Sequence, residues 1–270
     1  MIVIRDDEFH QLVNYVKSYC GLDLSGKRHL IEGRLQPVLA ALNMNSFAEY
    51  YHYVVKDKSG EALINLLNKL TTNHTYFMRE SDHFLFFRDT VLPYWSAAAK
   101  NKDLRIWSAG CSTGEEPYTL AMILQDFFGD KKWLWDTRVL ATDISRKVLE
   151  IASEGVYTSE QVAVLPEHWR RDYFRPVENG RYRVVDKIRN EVIFRAFNLN
   201  NPVYPFKQKF HVIFCRNVMI YFDNETKQEL VNKFYENLES GGYLFIGHAE
   251  SISRDRTKFK YVKPAVYYKE

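Results

Sequence analysis

The sequence lacks most of the features that mark a secreted, metal-binding or membrane-spanning protein. Only three cysteines occur in 270 residues, Cys20, Cys111 and Cys215, and none forms a CxxC pair or another metal-binding spacing. Three separate cysteines suggest reduced thiols, so we expect a cytoplasmic protein that holds no metal. No apolar run approaches the roughly 18–20 residues that span a bilayer, so we also expect no membrane insertion. The first residues show no basic segment followed by an apolar core, which predicts the absence of a signal peptide.

The chain also lacks a strong excess of charge. Its net charge is only +3, and no polybasic tail is present. Nucleic-acid-binding surfaces are usually more basic and more clustered, so we expect no nucleic-acid partner. The nearest basic group is Lys27, Arg28 and Arg34, for which a solvated helix face is the ordinary interpretation. Nothing in the sequence indicates an oligomer, and we expect a monomer.

The first ninety or so residues show the apolar spacing of helices. The residues from Phe9 to Cys20 predict a helix that Asp6 or Asp7 caps and Gly21 ends. Three further helices are predicted here, one from Ser25 with a kink at Pro37, and two over 46–56 and 59–70. We therefore assign residues 1–80 to an all-α N-terminal domain and its linker.

Beyond Pro93, apolar strands alternate with amphipathic helices. The predicted strands are 104–108, 138–142, 210–215 and 242–247, and the predicted helices are 115–128, 145–153 and 224–238. This alternation indicates an α/β domain, here residues 81–270, with a parallel sheet covered by helices on both faces. The tail over 259–269 predicts a terminal antiparallel hairpin.

One stretch interrupts the alternation. Residues 182–185 and 192–197 have the pattern of two antiparallel strands, preceded by a turn over Glu178–Gly180. We assign about 174–197 to a small antiparallel β-subdomain inserted in the α/β domain, part of which leads back into the main sheet.

A glycine loop, Ala109–Glu116, joins the first strand of the α/β domain to its first helix. Gly110 and Gly114 allow a tight turn and close approach of a ligand at the carboxyl end of the strand. A helix start normally favours an anion such as a phosphate, but here Glu115 and Glu116 would repel it. No lysine follows, as it does in a phosphate-binding loop. The loop therefore favours a cationic ligand, although a tight turn without a ligand remains an alternative.

Asp143 ends the second predicted strand, a position from which a carboxylate typically accepts the hydroxyls of a ribose. The alternative is that Asp143 caps the next helix. An adenosine with a positive centre and no phosphate describes S-adenosylmethionine.

Two more polar stretches stand out, Leu70–Glu80 and Cys215–Phe222. Arg79 is surrounded in sequence by aromatic residues and is a candidate to hold a carboxylate in a bidentate fork. Alternatively, Arg79 pairs with Glu80, Asp82 or Glu116 and only ties the domains together. In the second stretch, Asn217 is a candidate ligand contact and Tyr221 a candidate for the reaction site, unless the loop merely packs on the next helix.

Taken together, these stretches resemble the chemotaxis receptor methyltransferases, the CheR family, over essentially the whole chain. The resemblance rests on LTTNHTYFMRE at 70–80, IWSAGCSTGEEPY at 106–118, ATDIS at 141–145, FNL at 197–199 and FCRNVMIYF at 214–222. It implies a helical N-terminal domain, a Rossmann-like methyltransferase domain with a β-subdomain inserted, and methylation of glutamate side chains on the cytoplasmic helices of methyl-accepting chemotaxis receptors. The cofactor would be S-adenosylmethionine and the product S-adenosylhomocysteine.

The resemblance also implies site residues. Arg79 and Tyr221 would lie nearest the transferred methyl group as catalytic residues. The implied cofactor contacts are Asn73, Thr75, Arg79, Gly110, Glu115, Asp143, Asn198, Leu199, Arg216 and Asn217.

One departure concerns the substrate tether. Family members that grip a C-terminal receptor pentapeptide have a longer, glycine-bearing loop in the β-subdomain, whereas Phe174–Tyr182 is short. We therefore expect no strong pentapeptide tether. Two other readings stay open, a methyltransferase for a small molecule or RNA, and a binding or scaffold protein without catalysis.

Overall fold

A computed structural model of the chain describes residues 2–71 and 73–270. The chain divides into two compact units. The first combines the residues up to 72 with the segments 198–202 and 221–227, and the second holds 73–197, 203–220 and 228–270. Among the described residues, no helix is both long and apolar enough to cross a membrane.

The first unit is helical. Its helices are α1 (Asp6–Cys20), α2 (Arg28–Ala41), α3 (Phe47–Lys56) and α4 (Glu61–Leu70). Each buries one apolar stripe, as its spacing predicts, with Leu12, Val16 and Leu35 almost wholly buried. The helical fold predicted for this region is therefore confirmed.

The ends of these helices follow from local chemistry. Gly21 ends α1 as predicted, because its φ of 78° is left-handed and a Cβ there would lie 2.7 Å from Thr226 Cγ2. The predicted cap at Asp6 or Asp7 is wrong, since Arg5 holds that position and its N–H donates to Glu8 Oε2 at 2.9 Å. Helix α2 begins at Arg28 rather than at Ser25.

The two later segments complete the helical unit. Asp223 accepts an ion pair from Lys17 at 2.6 Å, and Phe222 forms an isolated β-bridge with Leu22. The Asn198 side chain donates to the Tyr19 carbonyl at 2.7 Å. Residues 179 to 206 positions apart in sequence therefore close the end of α1.

The second unit contains the α/β elements. Its helices are α5 (Ser81–Phe86), α6 (Leu92–Ala98), α7 (Glu115–Phe128), α8 (Arg146–Glu154), α9 (Ser159–Ala163), α10 (Glu167–Tyr173), α11 (Asp186–Arg189) and α12 (Asn224–Asn237), the last of which begins in the segment 221–227. Its strands are β1 (Ile106–Ala109), β2 (Val139–Asp143), β3 (Val156–Thr158), β4 (Phe174–Val177), β5 (Arg181–Val184), β6 (Val192–Ala196), β7 (Phe210–Cys215), β8 (Leu238–Ile246), β9 (Lys260–Lys263) and β10 (Val266–Tyr268).

Seven strands form the main sheet, in the order β6-β2-β1-β7-β8-β10-β9. The strands from β6 to β8 run parallel, and β10 pairs antiparallel with β8 and with β9. All four residues of β1 and all six of β7 are buried, as expected for central strands covered on both faces. The predicted Rossmann-like α/β fold and the terminal hairpin are thus confirmed. The strand order reverses beside β1, so the carboxyl ends of β1 and β7 flank the crevice where such sheets bind ligands.

The small sheet has three antiparallel strands in the order β3-β5-β4. The predicted antiparallel pairing of residues 182–185 with 192–197 is wrong, because β6 instead pairs in parallel with β2 at the edge of the main sheet. The same pairing confirms the prediction that part of the insertion leads back into the main sheet. The turn at Glu178–Gly180 joins β4 to β5 as predicted. Strand β3, which the sequence pattern did not reveal, supplies the third member.

Candidate active site

The glycine loop after β1 has the tight geometry that its sequence predicts. The N–H groups of Gly110 and Cys111 both donate to the Thr142 carbonyl, at 2.8 and 2.9 Å. Gly110 has a φ of 86°, and a Cβ there would lie 2.4 Å from Val218 Cγ2. Glycine is therefore required at this position by packing against the loop after β7, whether or not a ligand is bound.

Asp143 lies buried at the carboxyl end of β2, beside this loop. Its Oδ2 accepts from the Ser112 N–H at 2.9 Å, and its Oδ1 from the Ser145 N–H at 3.0 Å. Burial raises the pKa of the Asp143 carboxyl. The Ile144 N–H adds a third backbone contact, and a carboxylate with roughly four acceptor positions can still accept from a ligand. The alternative reading of Asp143 as a helix cap is wrong, because the Ser145 hydroxyl caps α8 by accepting from the Val148 N–H.

Glu115 opens α7 and is wholly buried. Its carboxylate accepts from the Thr113 hydroxyl at 2.7 Å and from Gln161 Nε2 at 3.3 Å. Burial raises its pKa, and neither contact carries a positive charge. Glu115 is therefore the acidic group of the loop that still suits a cationic ligand.

Glu116 differs, because its charge is already compensated within the chain. Its oxygens accept from the Ser108 hydroxyl at 2.7 Å and from Arg216 Nη1 at 3.2 Å. Burial raises the pKa of Glu116, although Arg216 works against this shift. The expectation that both glutamates select a cationic ligand is corrected to Glu115 alone.

Arg216 follows β7 and holds several polar groups at once. Its side chain is only 3% exposed and pairs with Glu80 as well as Glu116, in both cases at 3.2 Å. It also donates to the Arg79 carbonyl, and its guanidinium stacks 5.0 Å from the centre of the Phe84 ring. Such contacts fix the backbone before α5, so Arg216 positions neighbouring residues in addition to any contact it makes with a ligand.

Asn217 has the left-handed φ of 59°, which asparagine tolerates better than most residues. Its N–H donates to Glu250 Oε2 at 3.0 Å, and its side-chain Nδ2 to Glu80 Oε1 at 3.2 Å. A Cβ on Gly247 would lie 2.5 Å from that Nδ2, so the loop after β8 must come close here.

Arg79 is half-buried, and its Nη1 donates to the His74 carbonyl at 2.7 Å. Its guanidinium lies 5.8 Å from the centre of the Tyr76 ring. Among the residues that the structure describes, no carboxylate pairs with Arg79. The alternative in which Arg79 pairs with an acidic neighbour is therefore wrong.

The acidic neighbours named for Arg79 have other partners. Glu80 pairs with Arg216, while Asp82 pairs with His248 at 3.1 Å and with Lys263 at 3.4 Å. Although burial opposes it, the charge of Arg216 holds the pKa of Glu80 below its ordinary value. Within the described part of the chain, no acidic side chain balances the charge of Arg79, which suits a ligand carboxylate.

The remaining candidates fall into two groups. In the second unit, the Asn73 carbonyl accepts from the Ser112 hydroxyl at 2.9 Å. Thr75 is half-buried. Within the stretch Leu70–Glu80, Thr72 lies outside the described residues. Asn198, Leu199 and Tyr221 belong to the first unit.

These first-unit candidates have contacts of their own. The Asn198 Oδ1 accepts from the Asn200 N–H at 2.9 Å, and the Tyr221 carbonyl accepts from the Asp23 N–H at 2.8 Å. The direct contacts of the second unit connect Asn73, Gly110, Glu115, Asp143, Arg216 and Asn217 to the glycine loop or to the loop after β7.

Two parts of the chain match known protein families. Residues 73–268 match the family described as CheR methyltransferase, SAM binding domain, and residues 7–71 match the CheR methyltransferase, all-alpha domain. The chain belongs to the CheR methyltransferase family.

Curated relatives agree with this assignment over nearly the full length. The chain is 40% identical to the chemotaxis protein methyltransferase of Borreliella burgdorferi, over 99% of this chain and 96% of the relative. It is 35% identical to chemotaxis protein methyltransferase 2 of Vibrio cholerae, over 99% of this chain and 94% of the relative. It is 34% identical to the chemotaxis protein methyltransferase of Escherichia coli, over 98% of this chain and 92% of the relative. Among solved structures, a glycopeptide N-methyltransferase complexed with sinefungin is 11% identical over 59% of this chain and 52% of the other, with a TM-score of 0.33.

The donor set of this CheR methyltransferase fits an adenosyl cofactor with a positive centre. Asp143 offers a buried carboxylate at a strand end that can still accept a hydrogen bond, and Glu115 offers a buried carboxylate whose partners are neutral. The fold therefore carries a methyltransferase domain of the S-adenosylmethionine-binding kind.

Sequence reasoning missed three residues that shape this site. Glu80 accepts from both Arg216 and Asn217. Glu250 accepts from the backbone N–H groups of Asn217, Ile220 and Gly247. Ser112 donates to both Asp143 and the Asn73 carbonyl. Glu80 and Ser112 both have left-handed φ angles, 54° and 49°. Neither residue type indicates such a conformation, so no local signal could have found them.

Two members of the basic group in the helical unit, Arg28 and Arg34, have local roles. Arg28 pairs with Asp6 at 2.5 Å and donates to the Ile4 carbonyl. Arg34 donates to the carbonyls of Leu70 and Thr71, at 2.8 and 3.0 Å, at the end of α4. Both arginines stabilise the helical unit itself, which reduces the charge they offer to a partner.

Proposed function

We propose that this CheR methyltransferase is a protein-glutamate O-methyltransferase. It methylates glutamate side chains on the cytoplasmic helices of methyl-accepting chemotaxis receptors, in chemotaxis adaptation, and releases S-adenosylhomocysteine. The observation that carries the proposal is the match over nearly the whole length of both chains to relatives named chemotaxis protein methyltransferases. The protein acts in the cytoplasm, as a monomer, without a metal cofactor.

The cofactor is held by the residues that the sequence singled out. Asp143 would accept from the ribose hydroxyls with the acceptor positions that its backbone contacts leave free, and the buried Glu115 carboxylate would compensate the positive centre. The full set is Asn73, Thr75, Arg79, Gly110, Glu115, Asp143, Asn198, Leu199, Arg216 and Asn217.

The reaction needs position more than proton transfer. The cofactor supplies a methyl group on a sulfonium that is already activated toward displacement. A glutamate carboxylate with a pKa of about 4.3 is ionised at neutral pH, so the chain needs no general base. Orientation alone can lower such a barrier by roughly 7–11 kcal/mol. Arg79, whose charge no acidic side chain balances, steers the substrate carboxylate, and Tyr221 orients the reacting groups.

The test is transfer of tritiated methyl groups from S-adenosylmethionine to receptor-containing membranes, scored as base-labile methyl ester. Arg79→Ala is expected to lower the rate by about 100-fold or more, because misplacement of a reacting group alone costs about that much. Arg88→Ala, an exposed arginine paired with Asp89, is the matched control and should leave the rate unchanged.

The outcomes separate the competing functions. Cofactor binding without transfer would identify a scaffold, and label in RNA would identify a different methyltransferase. Near-normal transfer by Arg79→Ala would remove the role assigned to Arg79 but leave the reaction in place.

Substrate recognition does not use a strong pentapeptide tether in this proposal. Strands β4 and β5 are joined by only the three residues Glu178–Gly180, which leaves no long loop beside the edge of the small sheet. Calorimetric titration with a receptor-tail pentapeptide should therefore show no tight binding. Binding in the low micromolar range would contradict this part.

A further inference from the structure

Beside Arg216, the second unit brings together one carboxylate and two imidazoles. Ligand atoms of Glu80, His83 and His248 all lie within 4.8 Å of one another, and no other such group of three was found in the described chain. The Glu80 Oε2 and His83 Nδ1 atoms are 3.5 Å apart. Neither histidine belongs to the residues assigned above to cofactor or substrate.

His83 is unusual because it is wholly buried and neither ring nitrogen has a hydrogen-bond partner among the described residues. Burying a polar group without a partner costs free energy, and native proteins rarely leave such groups unpaired. The 3.5 Å separation from Glu80 is long for a hydrogen bond but close to the distance between two ligands of one ion. An ion bound to His83 would supply the missing partner.

The surroundings of His248 match the second shell of a metal site. The His248 Nε2 lies 3.1 Å from Asp82 Oδ1, and Asp82 also pairs with Lys263. A histidine that donates one ring nitrogen to a carboxylate presents the other to a metal, as in many zinc sites. Asp82 would thus fix the His248 ring with Nδ1 directed at the ion.

Charge also favours a cation here. The side chains of this region carry four carboxylates and two cationic groups, Glu80, Asp82, Glu116 and Glu250 against Arg216 and Lys263. A divalent ion would compensate the excess of two carboxylates.

We propose that Glu80, His83 and His248 form a binding site for one divalent first-row transition ion of the Zn²⁺ class. Two imidazoles and a carboxylate are a donor set that such ions prefer, with a fourth position left for water. Bonds of about 2.0–2.1 Å place tetrahedral ligand atoms roughly 3.4 Å apart, which the Glu80–His83 pair already satisfies. The His248 side chain is 45% exposed and can rotate to close the remaining gap.

Occupancy of this site would act on the active site through Glu80. The same carboxylate accepts from Arg216 and from Asn217, so an ion bound to Glu80 competes with both. The ion is therefore an inhibitor rather than a cofactor. This consequence rests on the proposed function, whereas binding of the ion does not.

Isothermal titration of Zn²⁺ into the purified full chain, without cofactor and without a histidine tag, tests the site directly. We expect one equivalent to bind, and His248→Gln to weaken binding by about 100-fold, since loss of a second-shell partner alone costs roughly 10–100-fold. His29→Gln is the matched control, because His29 is fully exposed and faces Glu32 instead. His83→Gln, checked for folding by circular dichroism, should weaken binding likewise.

Equal Zn²⁺ binding by the parent chain and His248→Gln, or no binding at all, would overturn the proposal. Co²⁺ substitution adds a second readout. The expected spectrum shows visible d–d bands clearly stronger than those of aqueous Co²⁺, as a tetrahedral site of nitrogen and oxygen ligands gives, and a strong thiolate charge-transfer band would instead place the ion on a cysteine. Because none of these measurements uses methyl transfer, the proposed function can fail while the metal site stands, and the reverse.

Discussion

Replacing Arg216 by methionine should destabilise the second unit strongly. The substitution keeps an unbranched side chain but removes the guanidinium that stacks on Phe84 and lies between Glu80 and Glu116. It also leaves the Arg79 carbonyl without its donor. Two carboxylates that are 13% exposed would then face each other with no cation between them.

The size of the effect follows from the burial of this network. Removing one partner of a buried ion pair typically costs about 3–5 kcal/mol, because the remaining charge is left uncompensated. Burial already raises the pKa of Glu116, so the stranded carboxyl can take up a proton. We therefore expect the lower end, about 3 kcal/mol at neutral pH, which corresponds to a fall in melting temperature of roughly 6–12 °C.

Thermal unfolding followed by circular dichroism measures this loss. Because protonation neutralises the stranded carboxylates, the deficit of Arg216→Met should shrink as the pH is lowered from 7 toward 5. Adding Glu116→Gln to Arg216→Met should recover part of the loss for the same reason.

Arg79→Met is the comparison variant. Arg79 is half-buried and donates to one carbonyl, so its loss should cost less than about 1 kcal/mol of stability while abolishing methyl transfer. A melting temperature for Arg216→Met within about 2 °C of the parent would refute the stabilising role assigned to the ion pairs of Arg216 with Glu80 and Glu116. A deficit independent of pH would refute its electrostatic origin.

Three further predictions concern the loops and the sheet. Gly110→Ala should lower the free energy of unfolding, measured by chemical denaturation, by about 1–3 kcal/mol. Adding Val218→Ala should relieve only the steric part of this loss, because the φ of 86° remains strained. An unchanged free energy of unfolding in Gly110→Ala would contradict the close approach. Asp143→Asn should weaken binding of S-adenosylmethionine in calorimetry by at least about tenfold, because an amide NH₂ would face an N–H donor, whereas Asp255→Asn, in an exposed turn, should not. Burial lowers the pKa of His211 to about 4 from its ordinary 6.5. The unfolded chain therefore takes up that proton first, and the free energy of unfolding should fall as the pH drops from 6.5 to 4, with a shallower fall in His211→Gln.

The elements with strong local signals were predictable. The helix Glu115–Phe128 and the strand Phe210–Cys215 agree with the sequence prediction at both ends, because a glycine precedes the one and a continuous apolar run defines the other. The return of the insertion to the main sheet was predicted, but the pairing of β6 with β2 was not, because a short apolar strand carries no information about which neighbour it pairs with.

The candidate site shows the same division. Asp143 and Glu115 were found from their positions at a strand end and a helix start. The sequence could not show that Arg216 rather than Arg79 would pair with Glu80 and Glu116, because the three segments involved meet only through the sheet topology. Long-range ion pairing is set by tertiary structure, and no spacing rule reports it.

The three-segment construction of the helical unit limits how this protein can be divided or recombined. A fragment that ends near residue 72 would lack Asp223 opposite Lys17, Phe222 opposite Leu22 and the Asn198 amide at the end of α1. A graft of the helical unit onto another enzyme would need two inner loops as well as the leading segment. Such a unit cannot be exchanged as a single block, so the helical and the α/β parts are constrained to be inherited together.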